Sequence, residues 1–165
     1  MNESGSTEDG RRRLTLERTH RAALGDVWDL WTTKEGIESW WGPDGYSVTV
    51  RHLDDRVGGE LRYTMTATAD AQIEFMEQAG MPIATDMSIV YTEVTPMRRL
   101  SYTTAADFIP GTSPYEVATT VTFDADSDSV RMALTFDAMH DDQWTERSVQ
   151  GRESELQRLD KILGG

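Results

Sequence analysis

The chain contains no cysteine, and Lys34 and Lys161 are its only lysines. The first absence excludes disulfides and all thiolate chemistry, whether redox or metal-binding. Positive charge of any kind is scarce: 16 Lys and Arg stand against 29 Asp and Glu, for a net charge of −13. Such a surface repels a phosphate backbone and anionic lipid headgroups, so no nucleic acid is expected as a partner. Long apolar runs are also missing. No stretch approaches the roughly 20 residues that a spanning helix needs, and the N-terminus has no apolar core of a signal peptide. No membrane insertion is expected, and a cytoplasmic location is the default.

Chemistry-bearing motifs are equally sparse. The histidines are His20, His52 and His140, without metal-ligand spacing, and no metal is expected. There is no nucleotide-binding loop, dinucleotide fingerprint or nucleophile motif, so no cofactor is expected either. Gly58-Gly59 is followed by a strand pattern rather than a helix, which reads as a turn and not as a phosphate cradle.

What is present is periodicity. At 165 residues the chain is long enough for one domain with its own core. Residues 1–13 are polar and aperiodic and read as a disordered tail, leaving 14–165 as a single domain. Leu14 to His20 alternates as a strand. Leu24, Val27, Trp28 and Trp31 then take helical spacing, and a second short helix runs from Lys34 to Trp41 before Gly42-Pro43-Asp44-Gly45. From Tyr46 the period is two over six segments, close enough to pair as antiparallel hairpins. The last element is a helix capped by Asp141 or Asp142 and ended by Gly164. Its stripe is Val149, Arg152, Leu156, Leu159 and Leu163. At 1.5 Å per residue it is roughly 30 Å long. The fold class is α+β, of order β-α-α-β6-α: a curved antiparallel sheet wrapped around a long C-terminal helix. A cavity between the two would take a small apolar or amphipathic ligand.

Two departures from this regularity stand out. Residues 69–86 form a long connection between strands, reading as a short helix capped by Asp70 and stopped at Gly80, with Ile73 and Met76 on one face. It is expected as a lid or as a satellite cluster on the sheet edge, with residues 106–116 as the opposite lip. Arg152 is the other, a cation on an apolar stripe beside a helix-interior glycine, Gly151. A buried guanidinium needs a carboxylate or an anionic ligand, unless only its stem is buried and its head reaches water. Gly151, costly in a helix interior, suggests close approach of the sheet or a ligand.

The segments "LTLERTHRAALGDVWDLWT", "ESWWGPDGY", "LDDRVGGELRYTM", "YTEVTPMRRLSYTT" and "GRESELQRLDKIL" resemble the START-like (SRPBCC) superfamily, in the bacterial branch named for the activator of Hsp90 ATPase. The most specific elements are Trp40-Trp41-Gly42-Pro43 and the run from Asp55-Arg56 through Gly58-Gly59 to Met65. The resemblance implies the helix-grip fold and a cavity that holds apolar or polycyclic molecules in relatives. It leaves the chemistry open, because the fold also serves carriers, receptors, cyclases and co-chaperone domains. The chain departs from the family pattern at Ala22-Ala23, at Gly151-Arg152, where relatives carry Trp or Met after the glycine, and in the long 69–86 connection.

Three functions are therefore carried forward. The first is a non-enzymatic binding module, with Trp41, Tyr63, Met65, Met76, Met132, Phe136 and Arg152 around the ligand. Trp40 and Trp41 serve first as anchors of the fold, and the methionine rows read equally as cavity wall or core. The second is a cyclase- or hydrolase-like enzyme on a polycyclic or polyketide substrate, with His140, for example paired to Asp137, or a carboxylate as its acid–base group. The third is a chaperone accessory. Monomer and homodimer are both open.

Overall fold

Alternation of apolar and polar residues becomes alternation of faces along every strand that the sheet buries. The computed structural model describes residues 12–42, 44–106 and 111–163, and the backbone of residues 2–6. Its strands are β1 (Asn2–Ser6), β2 (Arg12–His20), β3 (Tyr46–Leu53), β4 (Glu60–Ala67), β5 (Ala84–Thr95), β6 (Arg99–Ala106), β7 (Tyr115–Ala125) and β8 (Val130–Asp137). The helices are α1 (Leu24–Thr32), α2 (Lys34–Trp40), α3 (Asp70–Gln78) and α4 (Asp142–Ile162).

All strand pairs are antiparallel, in the order β1-β2-β8-β7-β6-β5-β4-β3. One face carries the core: Leu14 and Leu16 from β2, Leu61 and Tyr63 from β4, Ile89 and Tyr91 from β5, Met132, Leu134 and Phe136 from β8. Register shifts at Val50/His52 and Tyr91/Glu93 add the local twist that lets the sheet curl. Leu156 and Leu159 of α4 are fully buried in the same cluster, so the helix lies against the concave face. No helix among the described residues is long and apolar enough to cross a membrane.

The expected tail over 1–13 differs from the structure at both ends. Asn2–Ser6 is a strand paired to β2, and β2 itself begins at Arg12. The pairing joins main-chain groups along the open edge of β2, which polar residues can do as well as apolar ones. Residues 7–11 lie outside the described residues, as do Pro43 of the expected turn, 107–110 of the expected lip, and the expected stop Gly164.

Helix ends are set locally. Thr33 Oγ1 accepts from Gly36 N at 3.0 Å to start α2, and Asp141 Oδ1 accepts from Trp144 N at 2.8 Å to start α4. The start of α3 is different from expectation. Asp70 is in its first turn, and the flanking amides of Thr68 and Ala69 donate to Gly45 O at 2.8 and 3.1 Å. A main-chain carbonyl therefore does the anchoring that a side-chain cap was expected to do.

A polar network joins β2 to the far end of α4. Arg18 pairs with Glu153 and, at 3.7 Å, with Asp160, whose other oxygen lies 3.3 Å from Nδ1 of the fully buried His20.

Candidate ligand-binding cavity

The site begins with the short connection between α2 and β3. Gly42 stands at φ +90°, the left-handed region that glycine enters without a side-chain clash. Its amide donates to Glu155 Oε2 at 3.0 Å, and its carbonyl accepts from Arg158 Nη1 at 2.9 Å. Asp44 N donates to Ser154 Oγ at 2.7 Å, and Arg158 also reaches Tyr46 O at 3.2 Å. Three side chains of one helical stretch thus clamp the connection onto α4.

That clamp positions the indoles that precede it. Trp40 Nε1 donates to Leu30 O at 2.7 Å, tying α2 to α1. Trp31 meets Trp40 and Trp41 with ring centroids 4.7 and 5.5 Å apart and planes at 66° and 86°. Trp41 continues to Tyr63 and Tyr102 at 6.2 and 6.0 Å. Edge-to-face contacts of this kind add to the apolar burial of the rings. The adjacent tryptophans are therefore both anchor and wall: each is almost completely buried, and each lines a cavity between the sheet and α4.

This cavity measures about 310 Å³. Its aromatic end is Trp31, Trp40, Trp41, Tyr63 and Tyr102, and Arg152 and Glu155 supply charge from α4. The Arg152 guanidinium carbon lies 4.2 Å from the centroid of the Phe136 ring, and Nη2 donates to Thr119 Oγ1 at 2.9 Å. Its head therefore turns into the molecule, not out to water. Guanidinium has five N–H donors, so the Thr119 bond leaves others for a ligand.

Glu155, one turn further along α4, is the counter-group. Burial pushes its carboxyl above the usual range, while Arg152, the Gly42 amide and Arg158 pull the other way. The balance favours a proton on Glu155 more than in water. Burial likewise raises the hydroxyls of Tyr63 and Tyr102, with the Trp41 N–H donating to Tyr63 and Arg152 opposing the shift at both. The site can offer hydrogen-bond donors to an oxygen-bearing group and apolar ring surfaces to the rest of a ligand.

Of the residues singled out from the sequence, the structure brings Trp41, Tyr63, Met65 and Arg152 to this cavity. Phe136 lies beneath Arg152 as its ring support. Met132 is 1 % exposed in the core and is not part of the wall; Leu134, two residues on, is. Met76 lines a second space beneath α3, of about 570 Å³. His140 does not pair with Asp137. Its Nδ1 is 2.8 Å from Tyr115 Oη and its Nε2 3.3 Å from Asp141 Oδ2. Asp137 instead accepts from Ala118 N at 2.8 Å, because the end of β8 keeps it facing β7. Glu155 was not anticipated. Its signal was its spacing of three from Arg152, which puts both on one helix face.

The structural and sequence relationships of the chain agree. The sequence model of the Activator of Hsp90 ATPase homolog 1-like protein family matches residues 21–164. The chain belongs to this family. A protein from Chromobacterium violaceum has the same fold with a TM-score of 0.75 at 22% identity, over 93% of this chain and 97% of that one. A protein from Nitrosomonas europaea gives 0.68 at 21%, over 92% and 94%, and the AHSA1 protein from Silicibacter pomeroyi 0.70 at 20%, over 92% and 97%. Identities this low establish the shared fold alone. Among curated proteins, none matches the chain in sequence.

Proposed function

We propose that this family member is a binding module for one small, mainly apolar molecule bearing an oxygen-containing polar group, held between the sheet and α4. The observation that carries the reading is Arg152: an inward-turned guanidinium on the wall of an aromatic cavity, with donors beyond the one given to Thr119. An inward-turned guanidinium needs polar partners, and those it has in Thr119, Tyr102 and Glu155 leave N–H donors for a ligand group. The 69–86 segment is the cover of this site. Native mass spectrometry of freshly purified protein, beside a denatured sample, tests the reading. A mass excess lost on denaturation supports it and gives the ligand's mass. Protein that is uniformly bare after purification, and remains bare after incubation with apolar carboxylates, phenols and ketones, overturns it.

A second reading is favoured by Glu155. A carboxyl group held toward its protonated form beside a cavity suits a general acid. In that case the co-purifying molecule is converted by wild type, and Glu155→Gln binds it without forming the product. Equal product from both proteins removes Glu155 from the chemistry.

A further inference from the structure

The cavity against Trp41 and the space beneath α3 share part of their lining: Met65, Met87, Trp144, Arg147 and Gly151 border both. Four of these are large side chains, and the fifth has none. A Cβ placed on Gly151 would meet nothing within 4 Å. Neither the sheet nor another helix presses on this glycine, so packing does not require it. Glycine in the middle of a 21-residue helix is nevertheless unfavourable relative to alanine. What its missing side chain preserves is open space at the junction of two chambers.

The outer chamber has a different character from the inner one. Four methionines, Met65, Met76, Met81 and Met87, line the outer one together with Phe75, Tyr46 and Trp144, where the inner chamber has Trp31, Trp40, Trp41, Tyr63 and Tyr102 gathered at one end. Thioether side chains adjust to a flexible guest more readily than tryptophans do. Its roof is fixed at two places. Gly45 O holds the start of α3, and Arg147 of α4 lies 5.3 Å from the Phe75 ring centroid and 5.1 Å from that of Trp144. The α3 segment is thus fastened over the groove, with Met76 buried beneath it and Phe75 half exposed at its rim.

Resting on the binding reading above, we propose that the two chambers are one elongated site for a chain-like anionic amphiphile, whose carboxylate lies at Arg152 and whose unbranched tail passes Gly151 into the methionine groove under α3. The junction selects for a chain, because an opening held by the absence of one side chain admits a methylene chain more easily than fused rings. The inner chamber alone is sufficient for a short tail, and the outer one lengthens the site without a further charged group being needed.

Equilibrium dialysis with labelled octanoate and hexadecanoate tests this on wild type and Gly151→Leu. Wild type is expected to bind hexadecanoate at least tenfold more tightly than octanoate. Gly151→Leu is expected to lose that preference through weaker hexadecanoate binding, with thermal stability not lowered. Gly151→Ala, a single added methyl in a better helix former, is expected to shift the preference in the same direction by a smaller factor, and carries the test if the leucine variant does not fold. Hexadecanoate binding that is unchanged in the variants overturns the inference, as does equal affinity of wild type for the two acids. Failure of wild type to bind either acid also overturns it, while the native-mass test of the cavity stands independently of that result.

Discussion

Gly42 and Glu155, 113 residues apart, meet through one hydrogen bond of 3.0 Å from the glycine amide to the carboxyl. The bond fastens the turn that carries Trp40 and Trp41 to the helix that carries Arg152. At φ +90° and with Val48 Cγ2 only 3.1 Å from a would-be Cβ, position 42 has no comfortable room for a side chain. Gly42→Ala is expected to destabilise the fold by about 1–3 kcal/mol, read from urea unfolding at neutral pH.

Glu155 gives the protein a pH signature. Its folded-state carboxyl is raised above the unfolded one by burial, so the folded state binds more protons across the intervening window. Its contribution to stability is complete below the usual carboxylate range and is lost as pH rises through the raised value. Glu155→Gln keeps an oxygen for the Gly42 amide and removes the titration. The stability of the variant relative to wild type is expected to increase with pH from about 4.5 upward. Urea midpoints collected at half-unit pH steps check this, and a constant difference would show that Glu155 does not titrate differently on folding.

His20 acts with the opposite sign. Burial lowers its folded-state value, against the pull of Asp160, so the unfolded chain binds more protons below the ordinary 6.5. Stability from this group is present above 6.5 and is lost as pH falls through the lowered value. His20→Gln is expected to flatten that acid limb, seen as a smaller drop in melting temperature between pH 7 and 5 than wild type shows.

Arg152 is expected to resist conservative replacement. Lysine keeps the charge but has neither the flat face that lies over Phe136 nor the fork that reaches Thr119 while leaving donors free. Arg152→Lys should weaken octanoate binding about tenfold, near the 1.5–3 kcal/mol of a hydrogen bond to a charged group, with the melting temperature little changed. Calorimetric titration of both proteins gives the answer, and equal affinity would mean that charge alone holds the ligand.

Leu159, fully buried on the underside of α4, reports on the grip itself. Leu159→Ala is expected to cost about 2–5 kcal/mol in urea unfolding. A smaller loss would mean that the sheet closes over the void.

The stripe on α4 and the alternation in the strands were legible because both are side-chain periods imposed by burial on one face. The first strand was not, since Asn2–Ser6 joins the sheet through main-chain groups that carry no residue signature. Arg152 could be singled out as an anomaly on an apolar stripe. Glu155 had only its spacing of three from Arg152 to mark it among 29 acidic residues, and only the fold brings Gly42 to it. Met132 and Leu134 share one alternating face of β8, and the strand period alone does not say which of them meets the cavity. The pairing of His140 with Asp137 failed for a local reason: the chain turns after Asp137, sending the two side chains to different neighbours.

The tryptophans have one more consequence. Of the five in the chain, Trp31, Trp40 and Trp41 are stacked edge to face in the wall, Trp28 joins them through Phe123 at 5.5 Å, and Trp144 stands at the junction of the two chambers. Four of the five indoles, the main source of the protein's ultraviolet emission, therefore line the cavity. Rings as close as Trp31, Trp40 and Trp41 exchange excitation, so a guest that touches one of these three alters the light from all three. The protein carries its own optical gauge of occupancy, and needs no label for it.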